Sequence, residues 1–222
     1  MTTDSGKETV LVTGGARRLG KAIADALRAR GWNVIAASRT SSNAPFAVDL
    51  AEPDGPARLF AAARAAAPDL CAVVNNAGLF SHDEEPSPDV RARLRVVNVD
   101  APRALTDLLA AYGGGAVVNI ADCRALGTAR GDDTPYLRTK RELLAATRAD
   151  ALRLAGRVRV NAVAPGPVLP PESCHERAGA TPLGRHPAPS EVADAVAYLL
   201  SAESTTGAVI PVDGGQSLLS EP

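Results

Sequence analysis

At 222 residues, 45% of them hydrophobic, the chain suits one domain with a substantial core, and no apolar run approaches the ~20 residues of a membrane span. A formal charge of −1 argues against a polyanion-binding surface, so neither nucleic acid nor a membrane is expected as a partner. Cys71, Cys123 and Cys174 are odd in number, widely spaced and no closer to a metal-ligand pattern than His82, His175 and His186. No metal site is expected, and the thiols fit a reduced, cytoplasmic setting.

Residues 1–8 are polar and expected to fray. ETVLVT then predicts a buried strand, and ARRLGKAIADALRAR a helix, with Leu19, Ile23, Ala26 and Leu27 at helical spacing. Gly31 ends that helix and WNVIAAS is a second strand. The pattern continues with a strand around PFAVDL, a helix over 54–67, the strand CAVVNNA, a helix over about 88–112 and the strand AVVNIAD. A helix over about 135–155, the strand VRVNAVAP, the helix SEVADAVAYLLS and the strand AVIPVD complete it. Between Arg39 and Asp49 there is no room for a crossover helix, so an extended link is expected. The segment 165–190, rich in proline and glycine, is too long for an ordinary connection and is a candidate substrate-binding loop. Short apolar strands alternating with amphipathic helices imply an α/β fold: one doubly wound, Rossmann-type parallel sheet over 1–222, of about seven strands, helices on both faces.

Gly14 and Gly15 stand between a predicted strand and a helix start, where a bare turn brings backbone N–H groups up to a pyrophosphate. In TGGARRLG, however, Arg18 stands where such loops usually carry a second glycine. About 20 residues on, where an acid would bind a ribose 2′-hydroxyl, the chain reads Ser38-Arg39-Thr40. Arginine flanked by hydroxyls suits a 2′-phosphate, and Arg17 is a second cation, so NADPH is favoured over NADH as cofactor. Tyr136 and Lys140 lie one helical turn apart, after a strand ending at Asp122. A nearby ammonium would lower the phenol pKa and make Tyr136 a usable proton donor, while an ionised Asp122 would oppose it.

With Thr13-Gly14, Asn75-Asn76-Ala77-Gly78, Asn98, Tyr136 and Lys140, Pro165-Gly166 and Asp213-Gly214-Gly215 in this order, the chain resembles the short-chain dehydrogenases/reductases over nearly its whole length. The resemblance implies hydride transfer from a nicotinamide, Tyr136 as acid, Lys140 on the nicotinamide ribose and Asn98 holding a water relay. It places Gly14, Leu19, Asp49, Leu50, Asn76, Ala77, Gly78, Pro165 and Gly166 along the cofactor, beside Arg17, Arg18, Ser38, Arg39 and Thr40. Two positions depart from the general pattern: Asp122 replaces the serine at the end of the fifth strand, and Arg18 the loop glycine. Both are similar to the pteridine reductase branch, including dihydromonapterin reductases, and Phe80 stands where that branch places an aromatic over the pterin.

The substitution makes chemical sense. A ketone gathers negative charge on oxygen and wants a hydroxyl donor, whereas a pterin is reduced at C=N and carries N–H donors that a carboxylate accepts. The leading expectation is an NADPH-dependent reduction of a 7,8-dihydropterin (dihydrobiopterin, dihydromonapterin or dihydrofolate) to the tetrahydropterin. Arg18, Phe80, Asp122 and Tyr136 then form the substrate site. A short-chain carbonyl or imine reductase is the alternative, and a catalytically idle NADPH-binding module a third reading. The helices over 88–112 and 135–155 are those that relatives use to assemble. Ala104, Leu108, Leu144 and Ala145 are expected on their outer faces, and a homotetramer with them.

Overall fold

A computed structural model describes residues 8–40, 46–81, 83, 85–127, 133–169 and 181–220; the expected frayed N-terminus and the middle of the 165–190 loop lie outside the described residues. The strands are β1 (Thr9–Thr13), β2 (Asn33–Ser38), β3 (Phe46–Ala47), β4 (Leu70–Asn75), β5 (Gly115–Ile120), β6 (Val158–Pro165) and β7 (Val209–Val212). They form one seven-stranded sheet in the order β3-β2-β1-β4-β5-β6-β7, every neighbouring pair parallel. The helices are α1 (Arg18–Ala29), α2 (Gly55–Ala66), α3 (Pro88–Arg95), α4 (Ala101–Tyr112), α5 (Pro135–Arg153) and α6 (Pro189–Ser201).

Alternation within the strands assigns the two faces. Leu11, Val73 and Val117 pack with Leu59 and Phe60 of α2 and with Leu105 and Leu109 of α4. Their neighbours Val10, Val12, Val74 and Val118 face the other way, against Ile23 and Leu27 of α1 and Val192, Val196 and Leu199 of α6. Burial on both faces is why these strands read as unbroken apolar runs. The strand order reverses between β1 and β4, and a cleft opens there beyond the carboxyl ends of the strands.

Three expectations change. The run PFAVDL pairs over only two residues, because Asp49 and Leu50 turn away towards α2. The helix over 88–112 carries one π turn, Val96–Asp100, between α3 and α4. Leu144 is not on the outer face of α5: it is buried against Ala121, Ala125, Ala162 and Ala164, while Ala145 is exposed. The small residues at the ends of β5 and β6 leave room that a leucine fills.

Candidate active site

The cleft holds a cavity of about 730 Å³ along the carboxyl ends of β1, β2, β4, β5 and β6. Ser38, Arg39, Thr40, Asp49 and Leu50 line one end, with Arg93 of α3. Gly14 and Arg17 from the turn before α1, Arg18 and Leu19 from its start, and Asn76, Ala77 and Gly78 after β4, line the middle. Phe80, Asp122, Tyr136, Lys140, Pro165 and Gly166 line the other end. Of the site residues expected from the sequence, Asn98 alone is not in the wall.

The middle is built by cross-ties between β1 and β4. Thr13 Oγ1 accepts from the Asn76 and Ala77 amides, each at 3.0 Å, and Asn76 Nδ2 donates to the Thr13 carbonyl at 2.9 Å. Gly14 has φ +65°, and a β-carbon at Gly20 would stand 2.2 Å from the Gly14 carbonyl oxygen, so α1 starts tight against the turn. Arg18 has φ +48°, the left-handed backbone that explains a glycine's usual place there, and its Nη2 donates to the Leu169 carbonyl after β6. Around the wall, Arg17, Arg18, Arg39, Arg93 and Lys140 stand against the carboxylates of Asp49 and Asp122. A bare turn at a helix start and an excess of cations fit a phosphorylated dinucleotide such as NADPH.

At the reactive end, Thr134 caps α5, its Oγ1 accepting from the Leu137 amide at 3.3 Å, and this sets Tyr136 in the first turn. Tyr136 Oη donates to Asp122 Oδ2 at 3.2 Å. Arg124, two residues on, returns to the same carboxylate: its amide and Nε reach Oδ1 at 3.0 and 3.3 Å, and Nη2 reaches Oδ2 at 3.4 Å. Every bond at Asp122 thus runs into the carboxylate, which acts as an acceptor. The Phe80 ring stands edge-on to Tyr136, centroids 4.8 Å apart, and is half-exposed.

Lys140 Nζ donates to the Ile120 carbonyl at 2.8 Å and lies 5.8 Å from the Tyr136 ring centre. Burial lowers the Lys140 pKa to about 8, against a smaller opposing effect of Asp122. Burial, and after it the Asp122 charge and hydrogen bond, push the Tyr136 phenol up, with Arg124 offsetting part of the rise. This is opposite to the expectation that Lys140 brings the phenol down: in the free protein the Asp122 contact and burial outweigh an ammonium that is itself turned to Ile120. Asn98, presented by the π turn, accepts from the Leu79 amide at 2.8 Å and donates to the Leu79 carbonyl and Thr139 Oγ1, both at 2.9 Å. It therefore ties the segment after β4 to α5 behind the wall. At Gly78 a β-carbon would lie 3.6 Å from Asn98 Oδ1 and 3.7 Å from Lys140 Nζ, so this backbone packs beside both side chains. Cys123 turns away to Gln216 Oε1, and burial raises its pKa to about 12, leaving a packed, unreactive thiol.

Sequence reasoning missed two contributors and gave a third no role. Arg93 lies in the run Arg91-Ala92-Arg93-Leu94-Arg95 with nothing to single it out except its place one turn before Val97, which also lines the cavity. Leu169 acts through its carbonyl, which no side-chain pattern reports. Arg124 had only its adjacency to Asp122.

A family model described as enoyl-(acyl carrier protein) reductase, of the short-chain dehydrogenase type, matches residues 14–217. The solved FolM alternative dihydrofolate reductase 1 from Brucella canis, complexed with NADP, superposes with a TM-score of 0.85 at 33% identity, covering 95% of this chain and 94% of that one. Dihydromonapterin reductase from Citrobacter koseri is 31% identical across 94% of this chain and 96% of its own length. Galactitol 2-dehydrogenase (L-tagatose-forming) from Cereibacter sphaeroides is 33% identical across 93% and 94%. With its parallel sheet, its glycine turn before α1 and its Tyr136–Lys140 helix, the chain belongs to the short-chain dehydrogenase/reductase family of oxidoreductases.

Proposed function

We propose that the chain is an NADPH-dependent pteridine reductase that converts a 7,8-dihydropterin to the tetrahydropterin. Similarity to an NADP-bound FolM protein and to a dihydromonapterin reductase supports this reading. The observation that carries it is Asp122, a carboxylate hydrogen-bonded to Tyr136 at the cavity end where a carbonyl reductase needs a donor.

Bound NADPH supplies a hydride, which this reading delivers to C6 of the dihydropterin ring. Arg39, with Ser38 and Thr40, takes the 2′-phosphate; Arg17 and the start of α1 face the pyrophosphate. Lys140 holds the ribose hydroxyls of the nicotinamide half. Asp122 accepts from the amino-pyrimidine edge of the ring, and Arg124, the longest of its contacts at 3.4 Å, yields to the incoming donors. Phe80 closes one face of the flat ring. Water held near Arg18 brings the proton that N5 takes up, which balances the reduction of C6=N5. The enzyme is expected to work as a cytoplasmic homotetramer.

Asp122→Ser tests the assignment. It should lower kcat/KM for dihydropterin at least about 100-fold, the effect of losing a preorganised charged contact, while NADPH affinity moves less than about threefold. Unchanged pterin turnover removes Asp122 from the chemistry. Carbonyl reduction is the second reading, favoured by the similarity to galactitol 2-dehydrogenase; under it the same substitution raises ketone turnover and no pterin is reduced.

A further inference from the structure

At the cavity end remote from Tyr136, the Asp49 carboxylate is fixed from two sides. The Ala51 amide donates to Oδ1 at 2.9 Å, and Arg93 Nη2 donates to Oδ2 at 2.6 Å. Asp49 follows β3 and Arg93 projects from α3, so the contact joins the two walls of the cavity at this end. Burial alone would raise the Asp49 pKa, but the Ala51 amide, Arg93 and then Arg39 hold it below the ordinary carboxylate value. Those two donors leave Asp49 with acceptor capacity, since a carboxylate has about four lone-pair sites. Leu50, Leu59 and Val97 line the same end and give it apolar walls for a flat base.

A nucleotide whose 2′-phosphate lies on Arg39 brings its adenine to this end. Adenine offers one exocyclic donor, the 6-amino group, and Asp49 is the acid in the wall there. The Ala51 amide holds Oδ1 from the chain's own turn, and Arg93 holds Oδ2 and supplies a compensating charge. Without Arg93, the remaining cation acting on Asp49 is Arg39, which is needed elsewhere.

We infer that Arg93 is a positioning residue for adenine recognition: it locks Asp49 so that the carboxylate accepts a hydrogen bond from the 6-amino group of the cofactor. The inference rests on the assignment of Ser38-Arg39-Thr40 to the 2′-phosphate and is independent of the substrate.

The test is equilibrium binding to the whole protein, followed by cofactor fluorescence, with NADPH, NADH and deamino-NADPH, whose hypoxanthine carries a carbonyl where adenine has its amine. Wild type should bind NADPH at least about tenfold tighter than deamino-NADPH, the loss expected for a charge-assisted hydrogen bond. Arg93→Met should cut that preference to about twofold, and Arg93→Lys should restore part of it, because a single charge still reaches Oδ2. Asp49→Ala should abolish the preference, and adding Arg93→Met to it should change nothing further. An unchanged preference in Arg93→Met, or equal binding of the two cofactors by wild type, overturns the inference; so does a uniform loss that leaves the ratio intact. The NADPH-over-NADH ratio of wild type reports separately on Arg39: a ratio near one sinks the 2′-phosphate assignment.

Discussion

Arg18 has φ +48°, where a β-carbon crowds the following carbonyl at a cost of about 1–2 kcal/mol. Arg18→Gly removes that strain, and Arg18→Ala keeps it while deleting the same guanidinium. The glycine variant should therefore be more stable than the alanine variant by about 1 kcal/mol in thermal melts, with both losing the tie to Leu169 and NADPH affinity. Equal stabilities would contradict the strained backbone. The sequence made Arg18 conspicuous, because a turn selected for bareness carried a cation, but it could not say which backbone region the residue occupies. Lys140 and Tyr136 were likewise legible by spacing, whereas the balance of charges on them was not: it depends on burial and on Arg124, set by the turn after Asp122.

Lys140 also makes stability depend on pH. Its pKa of about 8 lies below the ordinary 10.5, so between these values the unfolded chain holds a proton that the folded one has released. Lys140's contribution to stability should rise as pH increases through that window, and below it the buried charge costs about 3 kcal/mol. The raised Cys123 and Tyr136 pKa values act the other way above their ordinary values. Lys140→Met should stabilise the free protein at pH 7 by about 2 kcal/mol, the lost Ile120 hydrogen bond offsetting part of the gain, while ending turnover. Urea titrations of wild type and Lys140→Met at pH 7 and pH 10 measure both quantities, the difference between the two proteins isolating Lys140. A destabilised methionine variant at pH 7 would contradict the buried charge.

At the scale of elements, α6 ends on a side chain from the sheet. Arg159 of β6 donates to the carbonyls of Leu199, Leu200 and Ala202 at 2.8, 2.5 and 2.9 Å, satisfying groups that a helix end leaves open. Arg159→Leu strands these carbonyls at a partly buried site and should cost about 2–4 kcal/mol in urea, without changing NADPH affinity. A loss under about 0.5 kcal/mol would show that water replaces the guanidinium. Nothing local to VRVNAVAP signals this role of Arg159, since its partners lie 40 or more residues away. The π turn was hidden for a different reason. One extra residue at Val96–Asp100 leaves the helical period of each flank intact, and the sole trace is Asn98 inside an apolar run. β1 and α1 were readable because an unbroken apolar run and a helical apolar period each match how the element packs.

For the whole molecule, the alternation of apolar strands with amphipathic helices specified the parallel sheet, while assembly is much less visible. Across the α4–α5 face, Arg103 pairs with Asp150 at 3.4 Å, Arg153 with Asp107 at 2.5 Å and Arg95 of α3 with Glu142 at 2.7 Å. These ion pairs close within one chain. Elsewhere Tyr198, Leu218 and Leu219 are more than half exposed near β7, which among the described residues is an edge strand, as burial against another copy would require. Light scattering is expected to give four times the chain mass, and a clean monomer would contradict the tetramer. Among the described residues no helix is long and apolar enough to cross a membrane.

Substrate-dependent oxidation of NADPH by the wild-type protein, with dihydrobiopterin, dihydromonapterin and dihydrofolate set against a panel of ketones and aldehydes, tests the role of Asp122 most directly. A carboxylate that accepts from a nitrogen heterocycle predicts kcat/KM for at least one dihydropterin about 100-fold or more above every carbonyl compound. Ketone reduction with no dihydropterin turnover would contradict it.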